Sequence, residues 1–330
     1  MTIDCGPEAE TVTRGLGFDC HDVSPVVSVR PPWELANWTL PILEVLVIAG
    51  AVLALVHAIR RRRAGDPINL ALWWTSLVYL FVIEPPLYFP EWFGLDDIYG
   101  FIFAHNQFTV QFMWDRLPLY IIAFYPMISQ LAYEVVRSLG IFTHRGALAG
   151  SVAVAFVCQV FYEVFDHIGP QLRWWAWNPA NAMVNQPMMG LVPMKSALLF
   201  ASVSLGAMTY LVVRLPGRWR PAAGLLAPLS MMIAGLPASL FGTNVTGQAW
   251  VLGAELALIW AAGGWLVVTA QGLPDVSAFA RVYPACYLGV MAVFWVTASG
   301  VPVAGLVYAL ACFAAAGLVL ARLYRARVLV

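Results

Sequence analysis

The chain has 330 residues, of which 61% are hydrophobic and 11% are charged, and its formal net charge is zero. This composition lies outside the range of soluble globular domains, and the lack of a basic excess argues against nucleic acid as a partner. Apolar stretches of about 20 residues recur along the chain, which is the length that a helix needs to cross a bilayer. The sequence therefore predicts an all-α, polytopic bundle of transmembrane helices.

Residues 1–35 form a polar tail before the first apolar stretch. The tail lacks the basic and apolar regions of a signal peptide. Its acids are Asp4, Glu8, Glu10, Asp19, Asp22 and Glu34. Cys5 and Cys20 also lie here and could form a disulfide if the tail is outside the cell. Residues 36–330 are predicted to form a single transmembrane domain.

Nine spans are predicted, and a turn at Gly300 and Pro302 separates the last two. The spans cover residues 38–59, 68–90, 117–139, 146–168, 191–213, 222–242, 249–270, 283–301 and 303–321. Of the 18 basic residues, those on the side of the N-terminus are Arg14, Arg30, Arg116, Arg173 and Lys195. Because basic residues collect on the cytoplasmic side, we expect the N-terminus outside and the C-terminus inside a plasma membrane. The single lysine is typical of a GC-rich bacterial genome, so a bacterial inner membrane is the expected location.

Four acids are predicted to lie at one depth. Glu44 and Glu255 lie about seven residues into inward-running helices. The helical rise of about 1.5 Å per residue converts this count into a depth below the outer surface. Glu84 and Glu163 lie near the outer ends of outward-running helices, so all four are about 10 Å below the outer surface. A buried acid costs about 2.5–3.5 kcal/mol on insertion scales, which favours a shared function. The alternative is that each acid bonds a neighbouring helix on its own.

One further acid has a different expected role. Glu134 lies near an inner helix end, and Arg137 follows three residues later. This spacing places both side chains on one helix face, where opposite charges attract. We therefore predict an ion pair between them.

Two stretches share a sequence pattern. The first contains FVIEPPLYFP followed by FIFAHNQFTVQFMWDRLPLYI, and the second contains FYEVFDHIGPQLRWWAW followed by MVNQPMMGLVPMKSALL. Each has an outward helix ending in Glu, an aromatic loop, and a Leu-Pro or Val-Pro that opens the next helix. Residues 68–139 and 146–213 are therefore predicted to be paired units related by an axis along the membrane normal. The alternative is that aromatics and prolines mark any interfacial loop.

The fourth span carries a polar stripe. Gln159, Glu163 and Asp166 with His167 are spaced to share one helix face, which should look into the bundle because lipid exposure is costly. A carboxyl held away from water can stay protonated near neutral pH, since burial disfavours its charged form. The neighbouring groups could share or relay that proton.

These patterns give two sets of candidate site residues. The candidate catalytic residues are Glu163, Asp166, Glu84, His167 and His105. Aromatic faces stabilise cations by about 2 kcal/mol or more in desolvated sites. The candidate substrate-binding residues are Trp174, Trp175, Trp177, Trp114, Tyr88, Asn106, Asp115, Arg116, Arg173 and Asn178. For the tryptophans the alternative is an ordinary interfacial belt.

No cofactor is predicted, but a divalent metal ion was weighed as an alternative. Its ligands would come from Glu163, Asp166, His167, Glu84 and His105. Carboxylates and imidazoles are suitable ligands, yet Glu-x-x-Asp-His is not a specific metal spacing.

The segment from Glu163 to Ser196 resembles integral-membrane carotenoid hydratases and related membrane terpenoid cyclases. The resemblance consists of an acid, a Gly, Trp-x-Trp and Gly-x-Val-Pro in order. The matching residues are Glu163 or Asp166, Gly169, Trp175, Trp177 and Gly190 to Pro193, and in the first half Glu84, Gly94, Tyr99, Leu117 and Pro118. It covers about residues 68–215, departs at Pro85 and Pro86, and has no counterpart for the last four spans. It implies a polyisoprenoid substrate and acid-initiated alkene chemistry.

The leading hypothesis is an intramembrane enzyme that acts on an isoprenoid or another lipid as a hydratase, cyclase or isomerase of an alkene or epoxide. Glu163 or Asp166 would donate the proton, with Glu84 as partner or base. One alternative is a proton-coupled transporter or channel for a small solute, which interrupted helices such as Gly235-Leu236-Pro237 would favour. Another is a non-catalytic scaffold subunit.

Overall fold

The computed structural model describes residues 5–273 and 276–325, and in this part of the chain nine helices are long and apolar enough to cross a membrane. Three short helices are α1 (Pro7–Leu16), α4 (Asp96–Tyr99) and α7 (Ala182–Asn185). The nine long helices are α2 (Thr39–Arg63), α3 (Ile68–Tyr88), α5 (Leu119–Ser138), α6 (Ile141–Asp166), α8 (Ser196–Arg214), α9 (Ala222–Ser239), α10 (Val245–Val268), α11 (Ala278–Thr297) and α12 (Val303–Arg325). The prediction of a polytopic helical bundle is confirmed. Asp4 and Arg327, which belong to the charge pattern of the sequence, lie outside the described residues.

Most helix ends agree with the predicted spans, and the differences have local causes. Gly146 has a positive φ of 82° and interrupts the start of α6, at the residue where the fourth span was predicted to begin. α8 begins at Ser196 and not at residue 191, because the preceding residues form a small hairpin. Pro118 precedes α5 directly, as expected of a proline at a helix start.

The segments at the end of the bundle that holds the N-terminal segment form a layer over the helices. This layer is called the outer cap (residues 5–38, 89–118 and 167–195), because the charge pattern predicts that this end faces outside. It contains short strands: β1 (Val27–Val29), β2 (Phe103–His105), β3 (Val110–Phe112), β4 (Leu117–Pro118), β5 (Trp175–Trp177), β6 (Met188–Met189) and β7 (Val192–Pro193). β1, β3 and β4 form one sheet, and β6 and β7 form the hairpin before α8. Cys5 and Cys20 are joined by a disulfide in this cap.

The two stretches with a shared sequence pattern contact each other through equivalent strands. β2 pairs antiparallel with β5, so that Phe103 lies opposite Trp177. The residue after each strand is an asparagine, and the two make matching bonds: Asn106 N donates to Trp174 O and Asn178 N donates to Ile102 O, both at 2.8 Å. The loops therefore meet as a local two-fold pair. The relation between the whole units 68–139 and 146–213 stays a prediction.

The middle of the bundle is formed by α5 and α6. In their most apolar windows 89% and 78% of the residues are buried, compared with 22% in α9 and 28% in α10. α5 packs against α2, α3 and α6, and α6 also packs against α8, α10 and α12. The peripheral helices expose rows of apolar side chains, as a lipid-facing surface does.

The predicted ion pair is present at the end of the bundle opposite the outer cap. Arg137 Nε donates to Glu134 Oε1 at 2.8 Å. His57 Nε2 lies 3.0 Å from the other carboxylate oxygen, and Ser277 Oγ donates to that oxygen at 3.0 Å. Glu134 is fully buried, the Arg137 guanidinium compensates its charge, and His57 and Ser277 contact its other oxygen. This acid thus ties α2, α5 and α11 together.

Candidate functional site

A cavity of about 550 Å³ lies beneath the outer cap. It is bounded by residues of α3, α5, α6, α8 and α9 and by the β2–β5 pair. The walls are mostly aliphatic and aromatic. The polar residues on its surface include Glu84, His105, Tyr125, Asp166, Lys195 and Ser196. A concave apolar site with a few converging polar groups is the usual form of a small-molecule pocket.

Glu84 enters the cavity from the last turn of α3. The helix continues through Pro85 and Pro86 to Tyr88, so the acid is held on regular helix. The hydroxyl of Tyr125, on α5, donates a hydrogen bond to Glu84 Oε1. Glu84 is only 7% exposed. The carboxyl therefore has one fixed donor and a face towards the cavity.

Asp166 is the last residue of α6 and lines the same cavity. It is 5% exposed, and its Oδ2 atom has no hydrogen-bond partner among the described residues. Ser196 of α8 lies beside this carboxyl. A buried polar atom without a partner is uncommon and identifies a place where a ligand or water can bond. The acid pair of this cavity is thus Glu84 with Asp166.

Glu163 faces another part of the bundle, which differs from the prediction of one shared stripe. Its Oε2 lies 2.9 Å from His167 Nδ1, and both residues are almost completely buried. Gln159, on the same side, donates to the hydroxyl of Tyr308 in α12 at 3.0 Å. The difference arises because adjacent helical residues diverge by about 100°, so Asp166 and His167 look in different directions. Neither Glu163 nor His167 lines the cavity.

The other two acids at the predicted depth are also outside the cavity. Glu44 accepts hydrogen bonds from the backbone N–H and hydroxyl of Thr109, at 2.9 and 2.6 Å, and so fixes the outer cap to α2. Glu255 lies on α10 and is partly buried. The common depth therefore did not mean one common site.

His105 lies at the top of the cavity, between two tyrosines. Its Nε2 is 3.1 Å from the hydroxyl of Tyr88, and its Nδ1 is 3.1 Å from the hydroxyl of Tyr120. Burial lowers the pKa of His105 to about 3, so the ring is neutral across the physiological range. A neutral imidazole accepts a hydrogen bond at one nitrogen and donates one at the other. It can therefore connect the two hydroxyls.

The candidate tryptophans have different positions. Trp175 and Trp177 lie on β5 and line the cavity. Trp174 is fully buried outside it and donates from Nε1 to Thr39 Oγ1 at 3.0 Å. Trp114 packs edge-on against Phe89 in the outer cap. The Trp-Trp-x-Trp run thus divides between the cavity wall and the anchoring of the cap.

The remaining polar candidates hold the outer cap together. Asn106 donates to Arg173 O at 2.7 Å, and Asn178 donates to Phe101 O at 2.8 Å. Asp115 accepts from Ser28 and Arg30. Arg116 donates to Tyr88 O and lies 4.8 Å from the Phe89 ring centroid. The side chain of Arg173 is exposed. None of these five predicted binding residues lines the cavity in the described part of the chain.

Several cavity residues escaped the sequence prediction. Tyr125 and Tyr162 lie inside apolar runs that carry no polar pattern, and Lys195 lies two residues after Pro193 of the Val-Pro motif. Residues Ser196–Val203 form a π-helical first part of α8, and Ser196, Leu199 and Phe200 line the cavity. Short π-helical segments occur frequently at functional sites. No signal in the sequence identified this one.

Among the described residues, one group of at least three acids, histidines or cysteines has ligand atoms within 4.8 Å of one another: Cys5, Asp19, Cys20 and His21. Its two cysteines form the disulfide. Glu163, Asp166 and His167 do not form such a group, and the metal alternative at these residues stays a prediction.

Comparisons with protein families, curated proteins and solved structures give no match to this chain. The fold and the cavity define a multi-pass membrane protein with a buried, acid-containing pocket.

Proposed function

We propose that the protein is an intramembrane enzyme that performs acid-initiated chemistry on an isoprenoid-type lipid. The observation that supports this most directly is the pair of carboxyls, Glu84 and Asp166, in one apolar and aromatic cavity of about 550 Å³. Two acids in reach of one substrate are what general acid–base catalysis requires. The resemblance to carotenoid hydratases and membrane terpenoid cyclases points to the same chemistry.

Asp166 is the proton donor in this proposal. Its carboxyl O–H bond breaks as the proton moves to an alkene carbon, and the alkene π electrons form the new C–H bond. The adjacent carbon becomes a cation next to the faces of Trp175 and Trp177, which stabilise positive charge. The sequence allowed either Glu163 or Asp166 as donor, and the cavity favours Asp166.

The cation then has two fates. Attack by water forms a C–O bond, and the water proton returns to a carboxylate, which gives hydration. Loss of a proton from a neighbouring carbon, or attack by a second alkene and then proton loss, gives isomerisation or cyclisation. Glu84, oriented by Tyr125, is the base in each case, and transfer of that proton from Glu84 to Asp166 restores both carboxyls for the next turnover. The net reaction needs no oxidant or reductant.

The substrate would enter from the bilayer. Met231 and Met232 of α9 line the cavity, and Met232 is 71% exposed on the side of the bundle. Methionine is flexible and fits irregular apolar surfaces. A lipid can therefore pass between the hydrocarbon phase and the acids without crossing the polar outer cap.

Asp166→Asn tests the proposal, because it removes the transferable proton and keeps the side-chain shape. Membranes that contain the chain are supplied with a panel of unsaturated isoprenoids, and the extracted lipids are analysed by mass spectrometry. We expect the wild type to form a product hydrated or isomeric to one of them, and Asp166→Asn to lower that rate by about a hundredfold or more.

The matched control is Glu255→Gln, which neutralises an acid of similar predicted depth outside the cavity. It should keep the wild-type rate. Wild-type turnover in Asp166→Asn would contradict the assigned donor, and equal loss in both variants would point to a general effect on folding.

Transport is the alternative that this experiment must be set against. α9 continues as a helix past Gly235 and Pro237. It is therefore not interrupted at the position where the transport hypothesis predicted a break. Solute uptake into proteoliposomes that is lost in Glu84→Gln, without any change in lipids, would favour transport. A scaffold would show neither activity.

A further inference from the structure

The cavity extends along the membrane normal and differs at its two ends. Lys195 lies at the outer end, at the junction of the outer cap and α8. Pro228 of α9 lies at the other end, 11 residues before the helix ends at Ser239. At about 1.5 Å per residue this places Pro228 about 16 Å below the outer end of α9. The site is therefore polar at the depth of lipid head groups and apolar towards the bilayer centre.

Lys195 is the cation at the outer end, and the only lysine of the chain. Its Nζ donates to the backbone carbonyl of Met183 at 2.8 Å. Arg14 and Arg30, also in the outer cap, form ion pairs with acids, whereas Lys195 forms none with the described residues. An ammonium without a counter-ion beside an apolar cavity favours an anion there, because the charge has lost part of its water.

The start of α8 adds donors next to Lys195. Ser196 is the first residue of α8 and lines the cavity, and its hydroxyl lies beside the carboxyl of Asp166. The start of a helix carries unpaired backbone N–H groups and a partial positive charge. Lys195 immediately precedes that helix end. The lysine and the helix start thus both favour an anion at this end of the cavity.

We propose that the substrate is an amphiphile with an acidic head group, a phosphate or a carboxylate, bound at Lys195, and an isoprenoid chain that extends towards Met231. This inference rests on the proposed function, because it assigns the same cavity to an isoprenoid. Charge complementarity with Lys195 selects the acidic head over a hydroxyl or an amine. Asp166 is protonated before it donates, so Glu84, the base, is the one ionised acid of the described lining, and its carboxylate is bonded by Tyr125 and not by Lys195.

Binding to the purified full-length chain in phosphatidylcholine nanodiscs tests the proposal. The probes share one chain length and differ in the head: geranylgeranyl phosphate, geranylgeranoic acid, geranylgeraniol and geranylgeranylamine. We expect the phosphate, the acid or both to bind about tenfold more tightly than the alcohol, the difference that one charge-assisted contact gives. The two acidic probes distinguish a phosphate head from a carboxylate head.

Three variants test whether Lys195 recognises the head group. Lys195→Gln should abolish the preference for an acidic head and leave the affinity for the alcohol unchanged. Lys195→Arg should keep the preference. Arg218→Gln removes an exposed cation on the loop between α8 and α9, at the opposite end of α8 from Lys195, and should bind like the wild type.

Equal affinity of the wild type for acidic and neutral probes would overturn the proposal. A loss of alcohol binding in Lys195→Gln as large as its loss of acidic-probe binding would also overturn it. Failure of the proposed chemistry is measured separately, because Asp166→Asn should keep the head-group preference while it loses turnover. A preference that persists without any product in the wild type would refute the chemistry and leave the head-group site standing.

Discussion

The neutral His105 makes the outer cap sensitive to acid, and this can be measured without a substrate. The ring is buried between Tyr88 and Tyr120, so a proton on it would have to be held away from water. In the unfolded chain the same ring is solvated. Lowering the pH should therefore favour the unfolded state through this residue.

The size of the effect follows from the two pKa values. The ordinary pKa of histidine is 6.5, and burial lowers the pKa of His105 to about 3. Above pH 6.5 the ring is neutral in both states and the effect is absent. Below it only the unfolded chain binds the proton, so the free energy of unfolding falls by about 1.4 kcal/mol per pH unit. From pH 6.5 to pH 5 this amounts to about 2 kcal/mol, and the loss ends near pH 3, where the folded ring also takes up a proton.

The assay compares the wild type with His105→Gln, which keeps a polar side chain between the tyrosines and does not titrate. Unfolding in mixed micelles with increasing SDS, followed by tryptophan fluorescence, gives the free energy of unfolding at each pH. Other acids and histidines contribute to both proteins, so the difference between the two pH slopes isolates His105. Parallel slopes between pH 6.5 and pH 5 would refute the burial of a neutral ring.

Two further predictions concern the cap and the last span. Gly190→Ala would place a Cβ 2.7 Å from Gly305 Cα at a φ of +63°, and we expect a loss of about 1–3 kcal/mol in stability, seen as a lower unfolding temperature. Gly217→Ala, which meets no atom within 4 Å, should unfold like the wild type; equal shifts would contradict the close contact. Replacing Cys5 and Cys20 by serine opens a loop with a sequence separation of 15, so docking of the N-terminal segment should weaken by about 3 kcal/mol. Limited proteolysis should then cleave this segment sooner, and an unchanged cleavage rate would argue against the role of the disulfide.

The membrane spans were predictable because the length of an apolar run is enough to determine them. About 20 apolar residues suffice for a crossing helix, and no other part of the chain has to be known. The ion pair of Glu134 with Arg137 was predictable for a similar reason, since a spacing of three residues on a helix determines the contact. Both features are local in sequence.

The cavity depends on contacts between distant segments, and these the sequence left open. Periodicity located a polar group at residues 163–167, but α6 has neighbours on all sides, and only their positions separate Asp166 from Glu163. Tyr125 became a partner of Glu84 through the packing of α5 on α3. The strands of the outer cap have two or three residues each, too few for an alternation of polar and apolar residues to appear.

The π-helical start of α8 determines the direction of the side chains at the outer end of the cavity. A π-helical turn accommodates one residue more than an α-helical turn, as if a single residue had been inserted into α8. One residue corresponds to a rotation of about 100° around the helix axis. Deleting one residue between Ser196 and Val203 would therefore restore an ordinary helix and turn Lys195 and Ser196 by about a quarter of a circle away from their present direction. The orientation of the head-group end thus depends on the residue count of one segment, and an insertion or deletion at a position of this segment that does not line the cavity would still change the chemistry of the pocket.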